Sequence, residues 1–392
     1  MTILAGSVWV SGPTGSGRVG KRTGPVGVAV VGCGTVSRTY LANLAAFADT
    51  RVVGCADLDM ARACEAAAEF GVPRAGDLDT VLADPAVEIV VNLTPPAAHM
   101  SVATAALRAG KHVYGEKPLA LKHADGVKLL TEAAERALRV GNAPDTFLGA
   151  SLQTCQRLVV AGAIGEPLSA LACCQDSGPE RWHSNPEFLY QYGAGPLFDV
   201  GPYYLTMLVQ LLGPVSRVAG AERQARAERI IGSGPRAGTR FAVEVPTHTT
   251  ALIEFSAGSV ATIVLSFDSP VPRRGFVEIT GTEATLRVPD PNRFDGPVRI
   301  RRFGDSDWRE VPVHGAIAGR GLGVLDMARA LRTGQEHRAS GELALHIVET
   351  MTAMTESARC GEFLPVAVGC PSPAPLPDDW NPYVPQRGGE PV

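Results

Sequence analysis

Val26-Gly27-Val28-Ala29-Val30-Val31-Gly32-Cys33-Gly34-Thr35-Val36-Ser37 is the stretch on which the fold turns. Its first six residues are small and apolar with no polar alternation, which reads as a strand buried on both faces. Gly32 and Gly34 then open a turn that leads into a helical pattern over residues 36–47. Such a turn lets backbone N–H groups approach a pyrophosphate, and the helix N-terminus adds partial positive charge. The run is GxGxxS, with Ser where the fuller fingerprint has Gly or Ala, and alone it is a weak signal. Asp57 strengthens it. It closes the second strand, Arg51–Ala56, near the roughly 20-residue spacing of a carboxylate that accepts from adenosine ribose hydroxyls. The alternative for Asp57 is a helix cap, a role for which Asp59 competes.

Working outward, short apolar strands keep alternating with Ala-rich helical stretches. Helix Ala61–Phe70, strand Val87–Leu93, helix Ser101–Ala109 and strand His112–Tyr114 continue a doubly wound parallel sheet. After about residue 146 the texture changes. Thr249–Phe255, Val260–Phe267, Phe276–Thr280 and Ala284–Val288 read as strands, and the turns Ala257-Gly258 and Gly281-Thr282 make them hairpins of a mostly antiparallel sheet. Helices over Gly323–Leu331 and Glu342–Ala358 should pack near it. The expected fold is α/β: an N-terminal dinucleotide-binding Rossmann domain over residues 25–145, then an α+β domain with a mostly antiparallel open sheet over 146–368. Residues 1–24 read as a flexible extension, and the Pro-rich tail 369–392 is expected to stay off the core.

Composition narrows the function. The chain has 392 residues, 45% hydrophobic and 19% charged, with a net charge of -4. It is neither disordered by composition nor basic enough to seek nucleic acid, so a small molecule is the expected partner. Eight cysteines without a CxxC pair favour reduced thiols and no metal site. No apolar run nears the roughly 18 residues of a membrane span, and no secretory signal precedes the first strand, so a cytoplasmic protein is expected. Gly15 and Gly20-Lys21 have phosphate-loop spacing, but Arg22 stands where Ser or Thr must bind magnesium, and no strand precedes them.

Two further stretches carry a resemblance. Val90-Val91-Asn92-Leu93-Thr94-Pro95-Pro96-Ala97-Ala98-His99 and Ala109-Gly110-Lys111-His112-Val113-Tyr114-Gly115-Glu116-Lys117-Pro118 are similar to the Gfo/Idh/MocA oxidoreductases over about residues 26–365. The resemblance implies that Thr94, Pro95 and His99 line the nicotinamide side of a cofactor cleft. It implies that Glu116 belongs to the same lining and that Lys117 is catalytic, in a turn whose Pro118 often follows a cis bond. Pro96 departs from the family's usual Asn. The segment Gly193-Ala194-Gly195-Pro196-Leu197-Phe198-Asp199-Val200-Gly201-Pro202-Tyr203 resembles the family's Gly-rich helix entry, and spacing of four would put Asp199 and Tyr203 on one helical face. Many members carry His where this chain has Tyr203, which moves the proton task to a phenol or to Lys117.

The implied cofactor is NAD, with NADP possible. Gly32, Gly34, Thr35, Val36 and Asp57 would hold it, and Asp57 would repel a 2'-phosphate while Arg62 softens that preference. Hydride transfer from a secondary alcohol needs a proton acceptor and a charge that stabilises alkoxide. Lys117, Asp199 and Tyr203 can supply both, with Lys117 lowering the Tyr203 pKa. His183, in the aromatic loop Glu180–Pro186, is a further catalytic candidate or else part of a packing loop. His248 reads as structural, and His314, His337 and His346 as surface or core residues. The expected substrate is a sugar, glycoside or cyclitol. Rival readings are a glycosidase using NAD for transient oxidation and elimination, reduction of dihydrodiols, and a non-catalytic dinucleotide sensor. The resemblance also implies a homodimer or homotetramer through the open sheet.

Overall fold

The structure is a computed structural model that describes residues 23–367, 369–370 and 372–386. The expected extension and its phosphate-loop-like run lie outside the described residues, apart from 23 and 24. The first half is a six-stranded parallel sheet. Its strands are β1 (Val26–Val31), β2 (Thr50–Ala56), β3 (Ala75–Gly76), β4 (Ile89–Asn92), β5 (His112–Gly115) and β6 (Val140–Asn142), in the order β3-β2-β1-β4-β5-β6. Every residue of β1 is buried, as its unbroken apolar run requires.

The crossovers are α1 (Thr35–Ala46), α2 (Met60–Phe70), α3 (Leu78–Leu82), α4 (Pro96–Arg108) and α5 (His123–Glu135). α4 begins at Pro96, five residues before the expected Ser101, because proline is well suited to the first helical turn, where its missing N–H costs nothing. The strand order reverses between β2-β1 and β4-β5, which opens a crevice at the carboxyl ends of β1 and β4.

The second half carries α6 (Ala150–Val160), β7 (Pro167–Gln175), α7 (Gly195–Asp199), α8 (Gly201–Leu212) and β8 (Val215–Arg223). It continues with β9 (Glu228–Ile230), β10 (Arg240–Ala242), β11 (His248–Phe255), β12 (Val260–Ser266), β13 (Arg273–Gly281), β14 (Ala284–Val288), β15 (Val298–Arg302) and β16 (Arg309–Val311). α9 (Leu322–Thr333), α10 (Gly341–Cys360) and β17 (Leu364–Pro365) complete it. The sheet order is β16-β15-β14-β13-β7-β12-β11-β8-β17, with β9 and β10 in a separate ribbon. Only the β7–β12 pairing in this sheet is parallel. Burial alternates along β11 and β14, so one face is covered and the other open. α10 lies across the covered face, where Ser357 Oγ accepts from the Gly220 N–H at 2.9 Å and His346 Nε2 accepts from the Val215 N–H at 3.0 Å.

The Pro-rich tail departs from expectation. Cys370 and Leu376 are buried, and the Gln156 and Arg157 side chains donate to the carbonyls of Pro373 and Leu376. Arg329 on α9 binds the carbonyls of Asn381 and Val384 and lies over the Trp380 ring. Proline removes backbone donors but leaves carbonyl acceptors. The tail is therefore tied down by side-chain donors rather than by a sheet ladder.

Candidate active site

A cleft of about 1200 Å³ runs from the carboxyl ends of β1, β2 and β4 across to the segment before α7. That exceeds the roughly 300–1,000 Å³ of a single drug-sized ligand and leaves room for a dinucleotide with a second small molecule. Gly32, Gly34, Thr35, Val36 and Asp57 line one end, as do Leu58, Asp59 and Arg62. The turn fits a dinucleotide. Gly32 has φ +95°, and a Cβ there would come within 2.8 Å of the Leu93 backbone, whereas a Cβ on Gly34 would meet nothing within 4 Å. No side chain caps α1, so its first N–H groups are left to a ligand. Asp57 Oδ2 accepts from the Cys33 N–H at 2.7 Å and Oδ1 from the Asp59 N–H at 2.8 Å, fixing the carboxylate beside the turn. Asp59, not Asp57, caps α2 through the Ala61 N–H.

At the other end Thr94, Pro95 and Lys117 line the cleft with Asp199. The Lys117–Pro118 bond is cis, as the resemblance implied. Lys117 Nζ donates to the Asp199 backbone oxygen at 2.7 Å and to Asp199 Oδ1 at 2.9 Å. Burial alone lowers the pKa of this ammonium, but the Asp199 charge leads a set of contacts that more than reverse the effect and hold it above the ordinary lysine value.

Three expected residues do not line the cleft. His99 is buried beneath it, with Nδ1 2.9 Å from the Pro118 carbonyl oxygen and Nε2 2.9 Å from that of Thr94. It ties the Thr94 loop to the Lys117 turn rather than facing the nicotinamide. Glu116 is also held behind the wall. Its Oε1 accepts from the Tyr40 hydroxyl at 2.9 Å, and its Oε2 from the Lys117 backbone N–H at 3.1 Å. His183 stands edge-on between Trp182 and Phe188, and its Nδ1 accepts from the Asn185 N–H. From that aromatic segment Phe188 and Tyr192 line the cleft, and His183 does not.

Asp199 and Tyr203 do not share a continuous helical face. α7 ends at Asp199, Val200 intervenes, and α8 restarts at Gly201 because Pro202 has no N–H for the ladder. Tyr203 is buried, its ring centre 5.6 Å from Lys117 Nζ, and its hydroxyl accepts from Arg320 Nη2 at 3.3 Å. Burial raises its pKa, and Lys117 and Arg320 offset that only in part. The expectation that Lys117 would make Tyr203 a ready base is corrected: desolvation outweighs the neighbouring cation.

Arg320 had no signal in the sequence. It stands alone in Gly319-Arg320-Gly321, more than 100 residues from Tyr203 and Glu116, and only the chain's return brings it there. Phe188 and Tyr192 did have one, as aromatic residues in the loop before Gly193. His248 is a half-buried residue of β11, His337 and His346 are core residues, and His314 is exposed.

Residues 26–143 match the oxidoreductase family with the NAD-binding Rossmann fold, and residues 152–287 match the GFO/IDH/MocA C-terminal domain. The chain belongs to this family of NAD(P)-dependent sugar oxidoreductases. It is 30% identical to a dTDP-3,4-didehydro-2,6-dideoxy-alpha-D-glucose 3-reductase of Streptomyces violaceoruber, over 85% of this chain and 95% of that one. It is 27% identical to inositol 2-dehydrogenase 1 of Saccharopolyspora erythraea, over 82% and 97%. The fold is also that of an NAD-binding oxidoreductase from Klebsiella pneumoniae, with a TM-score of 0.77, 22% identity and coverage of 87% of this chain and 99% of that one. No described helix is long and apolar enough to cross a membrane.

Proposed function

We propose that the chain transfers hydride between NAD(P) and a ketone or secondary hydroxyl of a sugar, glycoside or cyclitol, and that at neutral pH it is poised for ketone reduction. One observation carries this reading. An ammonium has three N–H groups, Lys117 gives two of them to Asp199, and the third is left for an oxygen in the cleft. The nicotinamide, when bound, supplies the hydride to the carbonyl carbon. Lys117 then protonates the oxygen that gains the electron pair, and Asp199 keeps the ammonium in place while it does so. Tyr203 supports Lys117 through its ring instead of acting as the base.

Phe188 and Tyr192 offer apolar ring faces on the substrate side, which suits the C–H face of a sugar. Likeness to a keto-sugar reductase over most of both chains supports the same direction. Asp57 beside the turn favours NAD over NADP.

A panel of keto-sugars with NADH and NADPH, and of sugars, cyclitols, glycosides and a dihydrodiol with the oxidised cofactors, tests the reading by absorbance of the reduced nicotinamide. Consumption or formation of reduced cofactor that is abolished by Lys117→Met, with cofactor binding retained, is expected. Glycoside cleavage without net reduction would assign the glycosidase chemistry instead, and cofactor binding with no turnover would assign a sensor.

A further inference from the structure

Behind Lys117 lies a buried group that the proposed chemistry does not use. Arg320 precedes α9, and its backbone is fixed on both sides: Asn43 Nδ2 donates to its carbonyl at 2.8 Å, and the Gly321 N–H donates to Asp145 Oδ2 at 2.8 Å. Its guanidinium reaches two different supports of Lys117. Nη2 donates to the Tyr203 hydroxyl, whose ring faces the ammonium. Nη1 lies 4.0 Å from Glu116 Oε1, and the other oxygen of Glu116 holds the Lys117 backbone N–H. Tyr40 closes the far side of Glu116 with its hydroxyl, and Tyr40 is itself fully buried.

We propose that Arg320 is a positioning residue for Lys117, bridging Tyr203 and Glu116 so that the ammonium and its backbone are held together from behind the cleft. The planar fork of an arginine suits this, because it can give N–H groups in two directions at once and never loses its charge. Without it, the Glu116 carboxylate would have Tyr40 and one backbone N–H but no cation at its side, and the Tyr203 ring would lose the contact that fixes its hydroxyl end. A lysine at 320 could reach one of the two partners but not both.

The inference rests on Lys117 being the proton donor, so the experiment separates the two. Lys117→Met tests that assignment in the panel above. Arg320 is tested without turnover, by reacting the folded protein with acetic anhydride and measuring acetylation of Lys117 against exposed Lys122 and Lys128 by peptide mass spectrometry. Arg320→Met is expected to speed Lys117 acetylation at least fivefold relative to those two lysines, with NADH affinity within threefold of the parent. Arg320→Lys should give an intermediate rate.

On any panel substrate that is turned over, Arg320→Met should lower kcat at least tenfold and leave the cofactor KM within threefold. In a Tyr203→Phe background its effect should shrink, because one of its two routes is already gone. Unchanged Lys117 acetylation in Arg320→Met would overturn the proposal. So would full additivity of Arg320→Met with both Tyr203→Phe and Glu116→Gln, which remain available if Arg320→Met does not fold.

Discussion

Lys117 Nζ and Asp199 are joined twice, at 2.7 Å through the backbone oxygen and 2.9 Å through the carboxylate, so one residue takes two of the three ammonium hydrogens. The two contacts differ in kind, since the carbonyl only orients and the carboxylate also supplies charge. Lys117→Met is expected to lower hydride transfer by roughly 10²–10⁴-fold, the usual share of a general acid. Asp199→Asn keeps an oxygen near the ammonium but removes the charge. Burial then acts on Lys117 with less opposition and its pKa falls. The alkaline limit of ketone reduction should move down toward, or below, about 10. A pH profile of kcat for Asp199→Asn that matches the parent would contradict this.

Asp57 combines a structural and a recognition task at the cofactor turn. Its two oxygens hold the Cys33 and Asp59 N–H groups, and its charge opposes a phosphate on the neighbouring ribose. Asp57→Ser should weaken NADH binding by about 10- to 100-fold, as loss of a charged hydrogen bond of about 1.5–3 kcal/mol implies. NADPH should lose less or gain. Fluorescence titration with both cofactors gives the ratio, and an unaltered NADH-to-NADPH preference would remove Asp57 from cofactor selection.

Two buried groups make stability depend on pH in opposite senses. Asp145 is fully buried, its Oδ2 accepts from the Gly321 and Gly323 N–H groups, and burial lifts its pKa to about 6. The unfolded carboxyl titrates near 3.9, so the folded state holds the proton longer and stability is lost as pH rises from about 4 to 6, by about 3 kcal/mol. His112 accepts the Arg139 N–H at Nδ1, and burial, then the Arg139 charge, press its pKa down to about 4. Its stability is complete above about 6.5 and is lost as pH falls toward 4. Measured by Tm, Asp145→Asn should improve relative to the parent as pH rises through this window. His112→Gln should improve relative to the parent as pH falls. Parallel Tm profiles for all three proteins would refute both assignments.

The tail should contribute measurably to stability. Arg329 Nε binds Asp49 at 2.8 Å while Nη2 binds the carbonyls of Asn381 and Val384, so α9, the loop before β2 and the tail share one guanidinium. Leu376→Ala should cost about 2–4 kcal/mol as a buried leucine truncation. Removing residues 371–392 should cost more and lower the urea midpoint. A truncated chain as stable as the parent would show that the strap adds nothing.

The strands and helices of the first half were legible because each is written locally. An unbroken apolar run, a glycine pair and Ala-rich periodicity need no distant partner to be read, and β1 falls on the expected residues. The site was legible in part. Lys117, Asp199, Thr94 and Asp57 stand in the cleft wall, but spacing suggested a shared face for Asp199 and Tyr203 that Pro202 breaks. The tail was misread for a related reason: proline content reports the loss of donors and says nothing of which arginines will bind its carbonyls.

By itself the sequence determined the alternation of strands and helices, the phosphate-facing turn and the residue types available for proton transfer, since all of these follow from neighbours in the chain. Only the tertiary structure decided which of those residues face the cleft. His99, Glu116 and Tyr203 are turned inward by partners that are distant in sequence or folded back upon them. Arg320 reaches Lys117 only because the chain returns to α9, with Asp145 and Asn43 fixing its backbone. Side-chain direction in a packed interior is set by which donors, acceptors and charges converge there, and that convergence is a property of the closed fold.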